Sequence, residues 1–211
     1  MNRSAIILAG GSSNRFGQDK ALVKFLDKPL ITHVINRVCG MVEEVLIVAS
    51  SQEQAEKLSK VTSKIPSLVD SYDLHGPLAG ALTGFEEARG KYSLLIPCDT
   101  PLISKVVIQH LFRACEGRDA AVPRWPNGYI EPLQSIYRTK PALKSAISAL
   151  KEGRRDIRSM IEGMSQVRYI STNALRRLNP QLSTFLNVNT TQDLKMAESL
   201  LNPVNSKIRD T

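Results

Sequence analysis

The stretch AIILAGGSSNRFGQDK, from Ala5 to Lys20, begins as an apolar run of strand length and turns at two glycines into a polar loop carrying Arg15 and Lys20. A strand, a glycine-containing loop and then a helix is how an α/β unit begins. The helix follows at Pro29, a residue suited to a helix start, with Leu30, Ile31, Val34, Ile35, Val38 and Met41 on one face. The alternation continues downstream. Strands are predicted at residues 4–8, 45–49, 67–69, 92–96, 120–122, 133–137 and 167–170, and helices at 52–60, 77–88, 104–115, 141–150, 157–162 and 191–201, the last opened by a Thr cap. In the helix at 77–88 Leu78, Ala81, Leu82 and Phe85 face inward, while prolines, Asn-Gly and Trp125 make 123–129 a loop. Leu94, Leu95 and Ile96 are consecutive apolar residues, which places their strand near the centre of a sheet covered on both faces. The fold class is α/β with a mostly parallel central sheet.

The chain has 211 residues, 42% hydrophobic and 23% charged, the make-up of an ordinary globular domain. No internal repeat or low-complexity linker divides it, so one domain is expected over residues 1–201, followed by a polar tail at 202–211. No apolar run is long enough to span a membrane, and the first residues lack the features of an export signal. Three cysteines, Cys39, Cys98 and Cys115, have neither zinc-knuckle spacing nor the even count of a disulfide scaffold; a reducing cytoplasm is expected. A formal charge of +8 favours an anionic partner, but the basic residues are scattered and aromatics are only 5%, which argues against a nucleic-acid stacking surface.

Gly10 and Gly11 permit backbone conformations closed to other residues and leave no Cβ in the way of a phosphate, so that successive N–H groups can point at an anion. Arg15 and Lys20 would neutralise a triphosphate that otherwise repels an anionic nucleophile. Gly-Gly after a strand is also a common tight turn, and neither Walker spacing nor GxGxxG is present. Asp99, in PCDTP, follows the most apolar strand, where open α/β sheets bind ligands. Its carboxylate could hold Mg²⁺, a hard ion that takes one or two protein carboxylates, phosphates and water. Alternatively it caps the following helix or makes an Asx turn. Asp70, in LVDSYDLHGPLAG, also follows a short strand and could approach the nucleotide or the metal, or be a solvated loop residue. Gly76 and Gly80 would give this loop its turn and allow close helix packing, and His75 is either an exposed loop residue or a catalytic one.

Taken together and in order, LAGGSSNRFGQDK, DSYDLHGPLAG, PCDTP, EPLQSIY and FLNVNTTQDL resemble the molybdenum cofactor guanylyltransferases over nearly the whole chain. The resemblance implies a single Rossmann-like, three-layer nucleotidyltransferase domain whose N-terminal part binds the nucleotide and whose C-terminal part binds the acceptor. The reaction it implies joins GMP from GTP to a molybdopterin-type cofactor and releases pyrophosphate, with Mg²⁺ required. It places Leu8, Ala9 and Gly10 against the nucleotide, Lys20 on its phosphates, Asp70 near it and Asp99 on the metal, with Gly11 and Arg15 in the same loop. Asn187 and Asn189 of NVNT match an asparagine motif close to the active site, although both are also turn formers.

Phe16 stands where the motif has Met, a swap between bulky apolar side chains. After the second strand the guanylyltransferases often carry Asn, whereas this chain reads Ile47-Val48-Ala49-Ser50, so one side-chain contact to the nucleotide is expected to be missing. Gly10-Gly11 and Thr100 nevertheless favour guanine over the related cytidylyltransferases. Glu131, in EPLQSIY, is a candidate acceptor residue with Gln134 and Tyr137 following on the pleat, or part of an ordinary edge strand. Arg154, Arg155 and Arg158 form either a phosphate contact or a solvated helix face. Cofactor-delivery or molybdoenzyme-maturation proteins are conceivable partners; nucleic acid and membrane are not expected. The rival readings are a cytidylyltransferase for the same cofactor or another small-phosphate-ester nucleotidyltransferase and, more distantly, a non-catalytic nucleotide-binding module.

Overall fold

Ala5, Ile7 and Ala9 bury into one apolar cluster and Ile6 and Leu8 into another. Strand β1 (Arg3–Leu8) is therefore covered on both faces, as its unbroken apolar run requires. The computed structural model describes residues 1–10, 16–62, 65–70, 72 and 76–201. Gly11, Arg15, His75 and the predicted tail lie outside the described residues.

After β1 comes a small hairpin, β2 (Lys24–Phe25) and β3 (Lys28–Pro29), and then α1 (Leu30–Val38), β4 (Glu44–Ala49), α2 (Gln52–Thr62), β5 (Ser67–Val69), α3 (Pro77–Glu87), β6 (Tyr92–Pro97) and α4 (Lys105–Cys115). The second half runs β7 (Ala120–Arg124), β8 (Ser135–Arg138), α5 (Thr139–Lys151), α6 (Ile157–Glu162), β9 (Val167–Ser171), α7 (Thr172–Leu175) and α8 (Thr191–Leu201). The main sheet has seven strands in the order β5-β4-β1-β6-β8-β7-β9. Strand β8 is antiparallel to both its neighbours and the remaining pairings are parallel. Helices α1, α2 and α4 contribute to the cluster on one face, and α3, α5 and α6 to the cluster on the other, which makes three layers.

Several expectations need correction. Strand β7 continues through Pro123 and Arg124, which the sequence assigned to a loop. Pro123 is tolerated because pairing to β8 has stopped at Ala121, so its missing N–H costs no bond on that side. Conversely, the strand predicted at 133–137 starts only at Ser135: Pro132–Gln134 is a 3-10 turn, and the strand is interior rather than an edge. Gln134 therefore does not sit on a pleat with Tyr137. Met41 is buried but lies beyond α1, which ends at Val38. The hairpin β2-β3 escaped notice because its turn residues, Leu26 and Asp27 at φ 46° and 66°, are not the Asn-Gly pair that usually marks such a turn.

The close helix approach falls at Gly84 instead of Gly80. A Cβ on Gly84 would lie 2.3 Å from Ile6 Cγ2, whereas one on Gly80 would meet nothing nearer than 3.5 Å. Gly76 does serve the turn, at φ 132° and with room for a Cβ blocked by the Arg155 carbonyl at 2.7 Å.

Candidate functional site

Parallel pairing of β1 with β6 brings Leu8 opposite Pro97, so the segments leaving both strands emerge side by side. The Cys98 N–H donates to the Leu8 carbonyl at 3.0 Å and extends that register past the strand ends. Beyond it the Lys20 ammonium is bonded to Asp99 Oδ2 and to Asn189 Oδ1. Residues from the first loop, the end of β6 and the segment before α8 thus meet at the C-terminal edge of the sheet, where ligands bind in open α/β folds.

Asp99 is 7% exposed. Its Oδ1 is buried and has no hydrogen-bond partner among the described residues. Neither the capping nor the Asx-turn alternative holds. Helix α4 is capped by Ser104, whose Oγ accepts from Val107 N at 3.4 Å, and the Asp99 carboxylate is turned to Lys20. The Asp99 carbonyl accepts from Val188 N at 2.8 Å, pinning the asparagine segment to the end of β6. Asn189 N and Thr190 N both donate to Asp193 Oδ2 at 2.8 Å, while Asp193 N donates to Thr190 Oγ1 at 3.1 Å. This reciprocal cap fixes the start of α8 and with it the Asn189 side chain.

Ala9 and Asp19, on either side of the motif loop, are tied together by a residue outside the motifs. Gln54 Nε2 donates to the Ala9 carbonyl at 3.0 Å and to Asp19 Oδ2 at 2.8 Å, and its Oε1 accepts from Ser50 N at 2.7 Å. Asp19 Oδ1 accepts from Ala21 N at 3.0 Å. The available signal was a glutamine on the same helical face as Ala55 and Leu58, both buried. Leu8 and Ala9 are 8% and 2% exposed, so of the three residues expected against the nucleotide Gly10 is the exposed one. Positive φ occurs at Gly17 and Gly76 but not at Gly10. What Gly10 supplies is the missing side chain beside Ser50, 3.4 Å from where its Cβ would be. Phe16 packs against a small apolar cluster of Val23, Phe25, Leu30, Leu102, Val188 and Ala197 beneath the site.

Asp70 is not joined to the Lys20 cluster by a direct bond; its Oδ1 accepts from Tyr72 N at 3.2 Å and Thr83 Oγ1 at 3.1 Å, at the end of β5. Glu131 is half-buried and accepts from Trp125 Nε1 at 2.6 Å. Burial pushes its carboxyl above the usual carboxylate range, against the opposing pull of the Trp125 hydrogen bond. Asn187 is exposed, and Glu131 and Asn187 line a common cleft. Arg154 and Arg155 lie in the turn between α5 and α6 and not on a helix face; Arg154 pairs with Glu162 at 3.2 Å. Arg158, on α6, faces the same Glu162 at 3.7 Å.

Cys98 adjoins Asp99, but burial first, and then the neighbouring Asp99 charge, push its thiol far above the ordinary range. It is no nucleophile. No group of three or more His, Cys, Asp or Glu side chains among the described residues could hold a metal, so an all-protein cage of the zinc or calcium type is not formed by them. A lone carboxylate with a free buried oxygen suits Mg²⁺, which keeps waters and shares substrate phosphates. No helix among the described residues is long and apolar enough to cross a membrane.

The family model described as the MobA-like NTP transferase domain matches residues 5–169. The chain is 33% identical to the probable molybdenum cofactor guanylyltransferase of Methanosarcina mazei, over 92% of this chain and 88% of that protein. It is 34% identical to the protein of the same description from Methanosarcina acetivorans, over 98% and 93%. A solved structure, the molybdopterin-guanine dinucleotide biosynthesis protein A of Archaeoglobus fulgidus, superposes with a TM-score of 0.81 at 28% identity, covering 95% of this chain and 99% of that one.

Proposed function

Because the chain belongs to the MobA-like NTP transferase family, we propose that it transfers GMP from GTP to the molybdenum-molybdopterin cofactor and releases pyrophosphate. The observation that carries the reading is the convergence of Lys20, Asp99 and Asn189 from distant parts of the chain at the ends of β1 and β6.

An oxygen of the acceptor's terminal phosphate attacks the α-phosphorus of GTP in line. The new P–O bond forms as the bond to the β-phosphate breaks, and the electron pair leaves with pyrophosphate. A phosphate monoester is already ionised near neutral pH, so no strong general base is required; positioning and charge supply most of the rate. Lys20 has three N–H donors, of which Asp99 and Asn189 take two, leaving one to meet a phosphate oxygen. Asn189 and Asp99 hold the ammonium in place before substrate arrives, so its charge needs no reorganisation during transfer. Arg15 belongs to the same proposal from its place in the motif. Leu8, Ala9, Gly10 and Gly11 would shape the nucleotide side, with Asp70 at its margin.

Asp99 would hold Mg²⁺ through its unpartnered Oδ1. The ion, when bound, would offset the negative charge that builds on the phosphates. Gln54 ties Ala9, Asp19 and Ser50 together beside Lys20.

The test is to incubate the protein with GTP, CTP or ATP, with and without molybdopterin, and to measure pyrophosphate release. Release with GTP that depends on molybdopterin and on Mg²⁺ is expected. Preference for CTP, or nucleotide binding without turnover, would overturn the assignment.

A further inference from the structure

Gln54, on α2, is buried, and its carboxamide meets the backbone where β1 and β4 end. Past the last paired residues of β1 the backbone keeps the alternation of a strand. The Leu8 carbonyl accepts from Cys98 N on the β6 side, and Ala9 N donates to the Val48 carbonyl at 2.8 Å on the β4 side. In the parallel register that sets Leu8 opposite Val48, the next bond of the ladder would run from Ser50 N to the Ala9 carbonyl. Gln54 stands in that place. Its Oε1 takes the Ser50 N–H at 2.7 Å, and its Nε2 gives the Ala9 carbonyl a donor at 3.0 Å, in a bond that is itself buried. The amide thus serves as one extra rung between the two strands.

A trans peptide carries its C=O and N–H on opposite sides. With the Ala9 carbonyl turned to Gln54 on the β4 side, the Gly10 N–H is turned to the β6 side, where Lys20 and Asp99 meet. Ala9 is buried and Gly10 exposed, so the carbonyl faces the interior and the donor faces the site. Only an amide fits between these partners. One end must accept from Ser50 N and from Ser50 Oγ, the latter at 3.0 Å, and the other must donate to the Ala9 carbonyl and to Asp19 Oδ2 at 2.8 Å. That uses both lone pairs and both hydrogens of the carboxamide, and its partners settle which end is nitrogen. Asp19 accepts from Ala21 N with its other oxygen and caps the 3-10 turn that begins at Lys20. One side chain of α2 therefore orients a backbone donor before the motif loop and the lysine-bearing turn after it.

Resting on the GMP-transfer reading above, we propose that Gln54 is a positioning residue for the nucleotide: it holds the Ala9–Gly10 peptide with the Gly10 N–H directed at an acceptor atom of bound GTP, and it steadies Lys20 through Asp19. It acts through these groups and needs no contact of its own with the substrate. Glycine is the residue at which a peptide turns over most readily, because no Cβ restricts its backbone. What Gln54 contributes to binding is that the productive orientation is already set when the nucleotide arrives. Replacement by glutamate reverses the preference at this point. A carboxylate oxygen repels both the Ala9 carbonyl and the Asp19 carboxylate, whereas a turned-over peptide would offer it the Gly10 N–H.

The test compares the full chain with its Gln54→Glu and Gln54→Met variants, by GTP titration with Mg²⁺, by the KM for each substrate, by melting temperature and by hydrogen exchange at the Gly10 amide. In both variants the Kd for GTP should rise about tenfold or more, the scale of one hydrogen bond to a charged group, while the KM for the acceptor stays at the wild-type value. In wild type the Gly10 amide should become protected only when GTP is added; in Gln54→Glu it should be protected without nucleotide. A glutamine that merely supported the fold would lower the melting temperature but leave GTP affinity, measured well below that temperature, and Gly10 exchange as in wild type, and this outcome would overturn the proposal. Should Gln54→Met not fold, Gln54→Glu, which keeps the size and the Ser50 bonds, carries the same test. Weakened GTP binding in the variants of a protein that transfers no GMP would count against the proposed function while leaving Gln54 in its role. GMP transfer with unaltered GTP affinity in both variants would do the reverse.

Discussion

At the residue scale the protein turns on how one ammonium and one carboxylate are shared. Lys20 bridges Asp99 and Asn189, and Asp99 keeps its second oxygen buried and unpaired. Asp99→Asn retains a hydrogen-bond acceptor for Lys20 but removes the charge a divalent cation needs. Turnover should fall by about a hundredfold or more, in line with removal of one preorganised charge from an active site, while the melting temperature changes little. Lys20→Met should lower kcat and raise the KM for GTP together, since its charge acts on both the bound nucleotide and the transition state. Steady-state kinetics with GTP and molybdopterin check both; full activity in Asp99→Asn would remove Asp99 from the metal. The sequence made both residues candidates by motif and strand position. It did not show that Gln54 ties Ala9 to Asp19: Gln54 falls on the buried face with Ala55 and Leu58, but a helical position names no partner, and Ala9 and Asp19 are distant in the chain.

At the element scale, helix α8 matters because its first turn holds Asn189. Burial alone would raise the Asp193 carboxyl, but the hydrogen bonds from Asn189 and Thr190 and the charge of Lys20 outweigh it and hold the group below the usual aspartate range. A carboxyl with a depressed folded pKa stabilises the native state above its unfolded pKa, and that contribution is lost as the pH falls through the folded value. Asp193→Asn should therefore be less stable than wild type at neutral pH, and the gap should close progressively below about pH 4. Urea midpoints at pH 7 and pH 3 measure this, and an equal gap at both pH values would show that the charge is not what matters. The same scale explains the corrections near β7 and β8. Pro123 reads locally as a loop residue and EPLQSIY as a strand, but strand continuation depends on which neighbour needs an N–H, and that is set by sheet pairing.

At the scale of the whole molecule, ligand and metal should appear in stability. GTP with Mg²⁺, present at about a hundredfold over its dissociation constant, adds roughly 2.7 kcal/mol to the native state and should raise the melting temperature by about 5–10 °C. Without Mg²⁺ the shift should be smaller, and Asp99→Asn should lose the Mg²⁺-dependent part; a shift indifferent to the metal would separate Asp99 from it. By itself the sequence determined the α/β alternation, the buried central strand β6, and the loop and carboxylate at the ends of two parallel strands, because hydrophobic periodicity and glycine or proline placement are local properties that survive reading one segment at a time. Only the tertiary structure decided that β8 runs antiparallel inside the sheet, that Gly84 rather than Gly80 meets Ile6, that Asn189 shares Lys20 with Asp99, and that Glu131 and Gln134 open into a cleft beside them. Each of these is a contact between segments far apart in the chain, and its geometry follows from strand order and packing, which no local pattern encodes. The stretch from Ala5 to Lys20 carries the motif of a phosphate loop; the sheet around it brings Asp99 and Asn189 to Lys20.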